Sequence, residues 1–150
     1  MIRVVIVSNN AKGLTLLLDW LSDIKVSVVP PSTMEETQQQ ILACIPDIIV
    51  LEQTLESLNV DLLCHLLYKE FPRAQSIILT DVEPSFEMLK DTGFSVRGYI
   101  TREQRSSLAK VVRVVHDGEA WLPRNIVTEM LNHFAEMSSV EKSKSKKSKK

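Results

Sequence analysis

The chain has 150 residues, of which 44% are hydrophobic and 25% charged, and this balance suits one soluble globular domain. No apolar run approaches the roughly 18–20 residues that cross a membrane, and the N-terminal MIRVVIV lacks a signal-peptide cleavage site, so we expect a cytoplasmic protein with no membrane partner. The net charge is −1, but segment 138–150 holds six lysines and Glu141. The body, residues 1–137, therefore has 12 basic and 18 acidic residues, a net charge of −6. This charge argues against a body that binds nucleic acid through a basic surface.

Apolar runs typical of strands alternate with segments of helical periodicity along the chain. Strands are predicted at 3–7, 25–29, 47–51, 76–80 and 96–101. Helices are predicted at 10–21, 33–44, 58–71, 84–91, 104–116 and 124–136. Strands that alternate with helices predict a parallel sheet covered on both faces, and near-continuous apolar strands agree with that burial.

We therefore expect an α/β fold of the doubly wound (βα)5 type, a three-layer sandwich with an extra C-terminal helix. The organisation predicted is a domain at 1–121, a linker helix at 122–137 and a Lys/Ser-rich tail at 138–150. The tail is of low complexity and cannot bury apolar area, so it is expected to be disordered.

The cysteines and histidines give no sign of a metal site. Cys44 and Cys64 lie inside apolar helical patterns and are expected to be free thiols rather than a disulfide. His65, His116 and His133 share no metal-ligand spacing with them. No histidine follows Ser8 at a credible distance for a hydrolase, and no Gly-rich loop is present to hold a nucleotide, so we expect no catalysis.

In an open parallel sheet a ligand binds beyond the carboxyl ends of the strands. The residues that follow the predicted strands there are Ser8, Asn9, Asn10, Glu52, Thr80, Asp81, Thr101 and Arg102. The set contains one carboxylate near the centre of the sheet, a hydroxyl and a cation.

Several motifs in this order resemble the receiver domain of bacterial two-component response regulators, the CheY-like fold, and most closely its NarL/FixJ type. RVVIV, followed by the polar residues Ser8 and Asn9, resembles the first strand and its acidic pair. PDIIVLE resembles the strand of the phosphoacceptor aspartate. SIILT and RGYITR resemble the strands that carry the switch residues and the invariant lysine. HDGEAWLP resembles the end of the last receiver helix. The resemblance covers about residues 2–137 and implies the sheet order 2-1-3-4-5.

The same resemblance implies roles for individual positions. Ser8 and Asn9 stand where an active receiver has two acids that hold Mg²⁺, and Glu52 stands at the phosphoacceptor aspartate. Thr80 and Tyr99 stand at the switch positions. Arg102 replaces the lysine, and Asp81 replaces a residue that is usually small.

These replacements predict a pseudo-receiver that has lost Mg²⁺ binding and needs no cofactor, because a small hard cation requires several oxygen anions. Glu52 is expected to act as a built-in phosphomimic that pairs with Arg102 and accepts a hydrogen bond from Thr80. The opposing interpretation is that Glu52 is a solvated, idle acid at the end of a strand.

The predicted function is phosphorylation-independent signalling by protein–protein contact, linked by the resemblance to transcriptional control. The partner, or a second copy in a homodimer, is expected on the face made by the fourth helix, fifth strand and fifth helix, which would include Phe86, Phe94 and Tyr99. The alternatives are a working phosphoacceptor in a histidine-kinase phosphorelay and a DNA-associated protein acting through weak, non-specific binding by the tail. The NarL/FixJ type normally continues into a helix-turn-helix domain where this tail stands, so that domain is expected to be either lost or truncated.

Overall fold

The computed structural model describes the backbone of residues 1–148 and the side chains of residues 1–139. Five strands alternate with helices, and a sixth α-helix follows. The strands are β1 (Ile2–Val7), β2 (Ile24–Val29), β3 (Ile48–Glu52), β4 (Gln75–Thr80) and β5 (Val96–Thr101). The helices are α1 (Lys12–Leu18), α2 (Met34–Ala43), α3 (Val60–Glu70), α4 (Phe86–Asp91), a 3-10 helix (Arg102–Ser107), α5 (Leu108–His116) and α6 (Arg124–Ser148).

The strands form one sheet in the order β2-β1-β3-β4-β5, and every pairing is parallel. This order and the doubly wound α/β architecture confirm the fold predicted from the sequence. The register is regular except for a shift between Ser76 and Ile77, where β4 pairs with β5. No helix in the described residues is both long enough and apolar enough to cross a membrane.

Short polar residues begin three of the helices. The side-chain oxygens of Thr33, Asn59 and Ser85 accept hydrogen bonds from the backbone N–H three residues later, at 3.1–3.2 Å. Each such bond satisfies one of the N–H groups that the first turn of a helix leaves unpaired. At the start of α2 the cap is Thr33, and the Glu36 carboxylate accepts a hydrogen bond from the Ser32 hydroxyl.

Each face of the sheet has its own apolar core because alternate residues of a strand point to opposite faces. On one face, Val4 and Ile6 of β1 pack with helices α1 and α5. On the other face, Val5 and Val7 pack with α2, α3, α4 and α6. The molecule is thus a three-layer sandwich in which helices cover both faces of the central strands.

The first and fifth helices differ from the sequence-based boundaries. The helix predicted at 10–21 ends at Leu18, and Trp20, which lies beyond its end, is 76% exposed. The helix predicted to begin at residue 104 begins instead as a 3-10 helix at Arg102 and becomes α-helical only at Leu108. Tighter 3-10 turns are common at helix ends, and the two turns here are not revealed by the hydrophobic pattern.

The prediction of a disordered tail from residue 138 is wrong for the backbone that the structure describes. Helix α6 continues from Arg124 to Ser148, and residues 149 and 150 lie outside the described part of the chain. Low apolar content means that a segment cannot form a core, but it does not prevent extension of an existing helix. Elongation is far easier than nucleation, and lysine is a good helix former.

The connection to α6 covers the outer edge of β5. The backbone N–H of Trp121 donates to the backbone carbonyl of Arg97 at 2.8 Å, and the backbone carbonyl of Trp121 accepts from the N–H of Tyr99 at 3.1 Å. The Trp121 ring lies 5.6 Å below the ammonium group of Lys110 on α5. Trp121 therefore packs on α5, and Ile126, fully buried in the opposite core, helps to fix α6 to the body.

The two cysteines should differ strongly in reactivity. Burial raises the pKa of the Cys64 thiol to about 12, so almost no thiolate forms there at pH 8, whereas Cys44 is partly exposed. We expect the native protein to react with a disulfide reagent at Cys44 alone, and the urea-denatured protein at both. Rapid reaction of a Cys44→Ser variant under native conditions would contradict this assignment.

The attachment of α6 can be tested at Ile126. We expect Ile126→Ala to lower the free energy of unfolding by about 2–5 kcal/mol, because it leaves a cavity beneath the helix. The matched control is Thr128→Ala, two residues further along the same helix and exposed, which should change that free energy by less than about 0.5 kcal/mol. Urea denaturation at low protein concentration measures both, and equal effects would contradict the packing described.

Candidate functional site

The register of the sheet brings several of the predicted site residues to one edge. Val7 of β1 lies opposite Leu51 of β3, so Ser8 and Glu52, the next residue of each strand, are neighbours. Glu52 lies opposite Leu79 of β4, which places Thr80 one residue further along. This edge is where the carboxyl ends of the parallel strands meet, as the sequence predicted.

A hydrogen bond between Ser8 and Glu52 joins the two central strands. The Ser8 hydroxyl donates to Glu52 Oε1 at 2.6 Å and accepts the N–H of Asn10 at 3.0 Å. Because the hydroxyl accepts from Asn10, its one proton is directed at the carboxylate. Ser8 is 3% exposed, and a bond from a shielded donor to a charged acceptor is among the stronger hydrogen bonds in proteins.

The contacts that we predicted for Glu52 are not present. Thr80 turns back on its own loop, since its hydroxyl lies 3.2 Å from both the N–H and the carbonyl of Val82. Arg102 contacts Asp81 instead, with Nε and Nη2 each 3.2 Å from Asp81 Oδ1.

Arg102 pairs with Asp81 rather than with Glu52 because Asp81, which directly follows Thr80, offers the guanidinium a carboxylate closer to the surface. The Arg102 and Asp81 side chains are 73% and 40% exposed, so the pair contributes little to stability. Asn9, the other residue at the acidic-pair position, is exposed.

Tyr99 is buried beneath this edge rather than displayed on the surface. Only 1% of it is exposed, and its hydroxyl has no hydrogen-bond partner among the described residues. Burial raises the pKa of the Tyr99 phenol, and the nearby Asp61 carboxylate raises it further. The phenol is therefore neutral at physiological pH, and its side chain is part of the core between β5 and α3.

The predicted interface rings contact the chain's own α6. Phe86 and Phe94 lie 5.8 Å apart between ring centroids, and the His133 ring of α6 lies 5.4 Å from Phe86 and 6.3 Å from Phe94. Phe134 lies 6.0 Å from Phe94. The assignment of Phe86, Phe94 and Tyr99 to an intermolecular surface is thus not what the structure shows. The sequence could not separate the two possibilities, because apolar residues on this face are expected both at an interface with another molecule and at a contact within the chain.

Two grooves were missed by sequence reasoning, because each is made by residues far apart in the chain. One, of about 530 Å³, lies between α3 and α4 and includes Asp61, His65 and Lys90. Burial raises the pKa of Asp61, while a hydrogen bond from Gln53 opposes that shift. The other groove, of about 390 Å³, lies beside Tyr99 at the start of α6.

Comparison with known proteins agrees with the fold. The chain is 27% identical over 147 residues to the oxygen regulatory protein NreC of Staphylococcus epidermidis, an alignment that covers 93% of this chain and 66% of NreC. The chain thus spans just under two thirds of the length of the curated relatives that it matches. No protein-family model matches it.

Solved structures show the same architecture. A two-component response regulator of the LuxR family from Aurantimonas superimposes with a TM-score of 0.72 at 18% identity, covering 89% of this chain and 97% of that one. A CheY-like receiver domain from Methanospirillum hungatei gives 0.66 at 16% identity, covering 78% and 94%. The chain therefore has the CheY-like fold, and it is similar in sequence to NreC and in fold to response regulators of the LuxR/NarL type.

Proposed function

We propose that the chain is a receiver module that signals by contact with another protein and does not depend on aspartyl phosphorylation. The observation that carries this proposal is the 2.6 Å bond between Ser8 and Glu52 at the point where a working receiver holds its metal and phosphoryl group. The neutral Ser8 hydroxyl occupies a position where a metal-binding acid would stand. It donates its hydrogen bond to Glu52, the one carboxylate at the centre of the site.

The charges around Glu52 support the loss of magnesium binding. Ser8 and Asn9 are neutral, and the nearby Asp81 carboxylate is directed to Arg102. Mg²⁺ requires several hard oxygen ligands in near-octahedral order, and one carboxylate with a hydroxyl is a poor set. Phosphoryl transfer relies on such a metal to neutralise developing charge, so the site would be a weak phosphoacceptor.

Glu52 would then act as a fixed negative charge in place of a transient one. Its carboxylate does not reach Thr80 or Arg102 in this structure, so the proposed phosphomimic role operates through Ser8. The bond holds the end of β1, and the backbone N–H of Asn10, in one arrangement. A partner protein would recognise the surface that this arrangement maintains.

The relatives suggest the process in which such a module would work. NreC is described as an oxygen regulatory protein, and the LuxR-family neighbour as a two-component response regulator. We extend this to the chain as a proposal: a cytoplasmic role in the control of transcription, carried out by protein contact rather than by catalysis.

A titration with Mg²⁺ and beryllofluoride, followed by amide NMR, tests the central part of this proposal. Beryllofluoride imitates the phosphoryl group only where the metal site and the acceptor are intact. We expect no saturable shifts at Ser8, Glu52 or Thr80. Saturable shifts there would overturn the proposal and favour a working phosphoacceptor served by a histidine kinase.

A reconstituted site is the matched control for that titration. The variant Ser8→Asp, Asn9→Asp, Glu52→Asp, Asp81→Ala and Arg102→Lys restores the acids, the small residue and the lysine. We expect it to gain Mg²⁺-dependent shifts with beryllofluoride, because the ligand set for the metal is then complete. A folded variant without a response would show that the fold, rather than these residues, prevents binding.

The charge of Glu52 can be separated from its shape by Glu52→Gln. The amide can still accept from Ser8, but a neutral acceptor forms a weaker bond than a carboxylate. We expect the amide signals of Ser8, Asn9 and Asn10 to shift, whereas the control Asp81→Asn should leave them unchanged. Unchanged signals in Glu52→Gln would instead favour the idle, solvated acid.

A further inference from the structure

Helix α6 has more apolar surface than the body of the protein covers. Its inner stripe, Ile126, Met130 and His133, packs on the core and on the Phe86 and Phe94 rings. Its outer stripe consists of Val127, Leu131 and Phe134, which are 43%, 66% and 47% exposed. The Phe134 ring borders the body, 6.0 Å from the Phe94 ring, and leaves about half of its surface exposed.

The outer stripe has the spacing of a helix-packing surface. Its residues recur at i, i+4 and i+7, so they lie in one row along the helix. A helix that packs only on one body needs a single apolar stripe, and here two adjacent stripes are present. Single exposed apolar residues are normal on a protein surface, but a continuous row of them indicates a contact.

The distribution of charge indicates what covers the row. The segment 138–150 holds six lysines and one glutamate, while the rest of the chain carries a net charge of −6. Two parallel copies of α6 would bring both Lys-rich ends together, which is unfavourable. Two antiparallel copies centred near Leu131 place each Lys-rich end past the start of the other helix, towards the connection that holds Asp117 and Glu119.

We propose that a second copy of this chain docks on the outer stripe of α6, with the two helices antiparallel and each Lys-rich end against the acidic body of the other copy. The geometry differs from a dimer through the fourth helix and fifth strand, because α6 stays on its own body. The proposal goes beyond the signalling role proposed above and does not depend on the state of Glu52.

Analytical ultracentrifugation of the full chain over a range of concentrations tests for the dimer. We expect a concentration-dependent dimer that Leu131→Glu weakens at least about tenfold, because a charge would be buried in the contact. Leu16→Glu is the matched control, since Leu16 is 67% exposed on α1, far from the stripe, and it should leave the dimer intact. A monomer at every concentration, or equal effects of the two variants, would overturn the proposal.

Salt and spin labels test the antiparallel arrangement. We expect added NaCl, and removal of 138–150, each to weaken the dimer, since opposite charges face one another. In a Cys44→Ser background, labels at Asn132→Cys should be close between copies, while those at Ser143→Cys should lie about 36 Å apart along the helix axis. Short distances at both positions, about one interhelical spacing of 8–10 Å, indicate a parallel dimer and would overturn the proposal.

Discussion

Helices bury both faces of the three central strands, β1, β3 and β4, and this constraint determines where the polar residues of these strands lie. The central strands have to be apolar along almost their whole length, so their polar side chains lie at or near the strand ends. Parallel strands have all their carboxyl ends at one edge, and Ser8, Glu52 and Thr80 meet there for that reason alone. The topology of the sheet therefore brings these residues together, whatever their chemistry.

Within that edge, the identity of a few residues decides what the site can do. In an acidic site, a metal ion would hold the strand ends together by binding several carboxylates. Here a hydroxyl and a single carboxylate make a direct bond between β1 and β3. That bond needs no ligand, which is what the proposed phosphorylation-independent signalling requires of the site.

The C-terminal helix α6 determines which apolar surface stays exposed. By covering Phe86 and Phe94, α6 occupies the face on which a receiver-like domain was expected to meet a partner. Because α6 covers these rings, the apolar surface that remains exposed on this face lies on the outer side of α6 rather than on the body. An interaction module with this structure would thus present its helix, rather than its fourth helix and fifth strand, to the next molecule.

The sequence predicted the fold well because its strands are continuous apolar runs bounded by clear turn and cap signals, as at Thr33. It also placed Ser8, Glu52 and Thr80 at one edge, since strand order determines that. It did not predict the partners of Glu52, because the choice of Arg102 between Glu52 and Asp81 depends on distances of a few ångströms. The length of α6 was missed because composition describes the capacity to form a core, and a helix can extend without one.

The most direct test of the account is the coupling energy between Ser8 and Glu52. Urea denaturation of the wild type, Ser8→Ala, Glu52→Ala and the double variant gives this energy as a double-mutant cycle. We predict a favourable coupling of about 1 kcal/mol or more, because the bond joins a buried hydroxyl to a charged acceptor. Additive effects of the two substitutions would show that the bond holds nothing together, and would contradict a site fixed by Glu52.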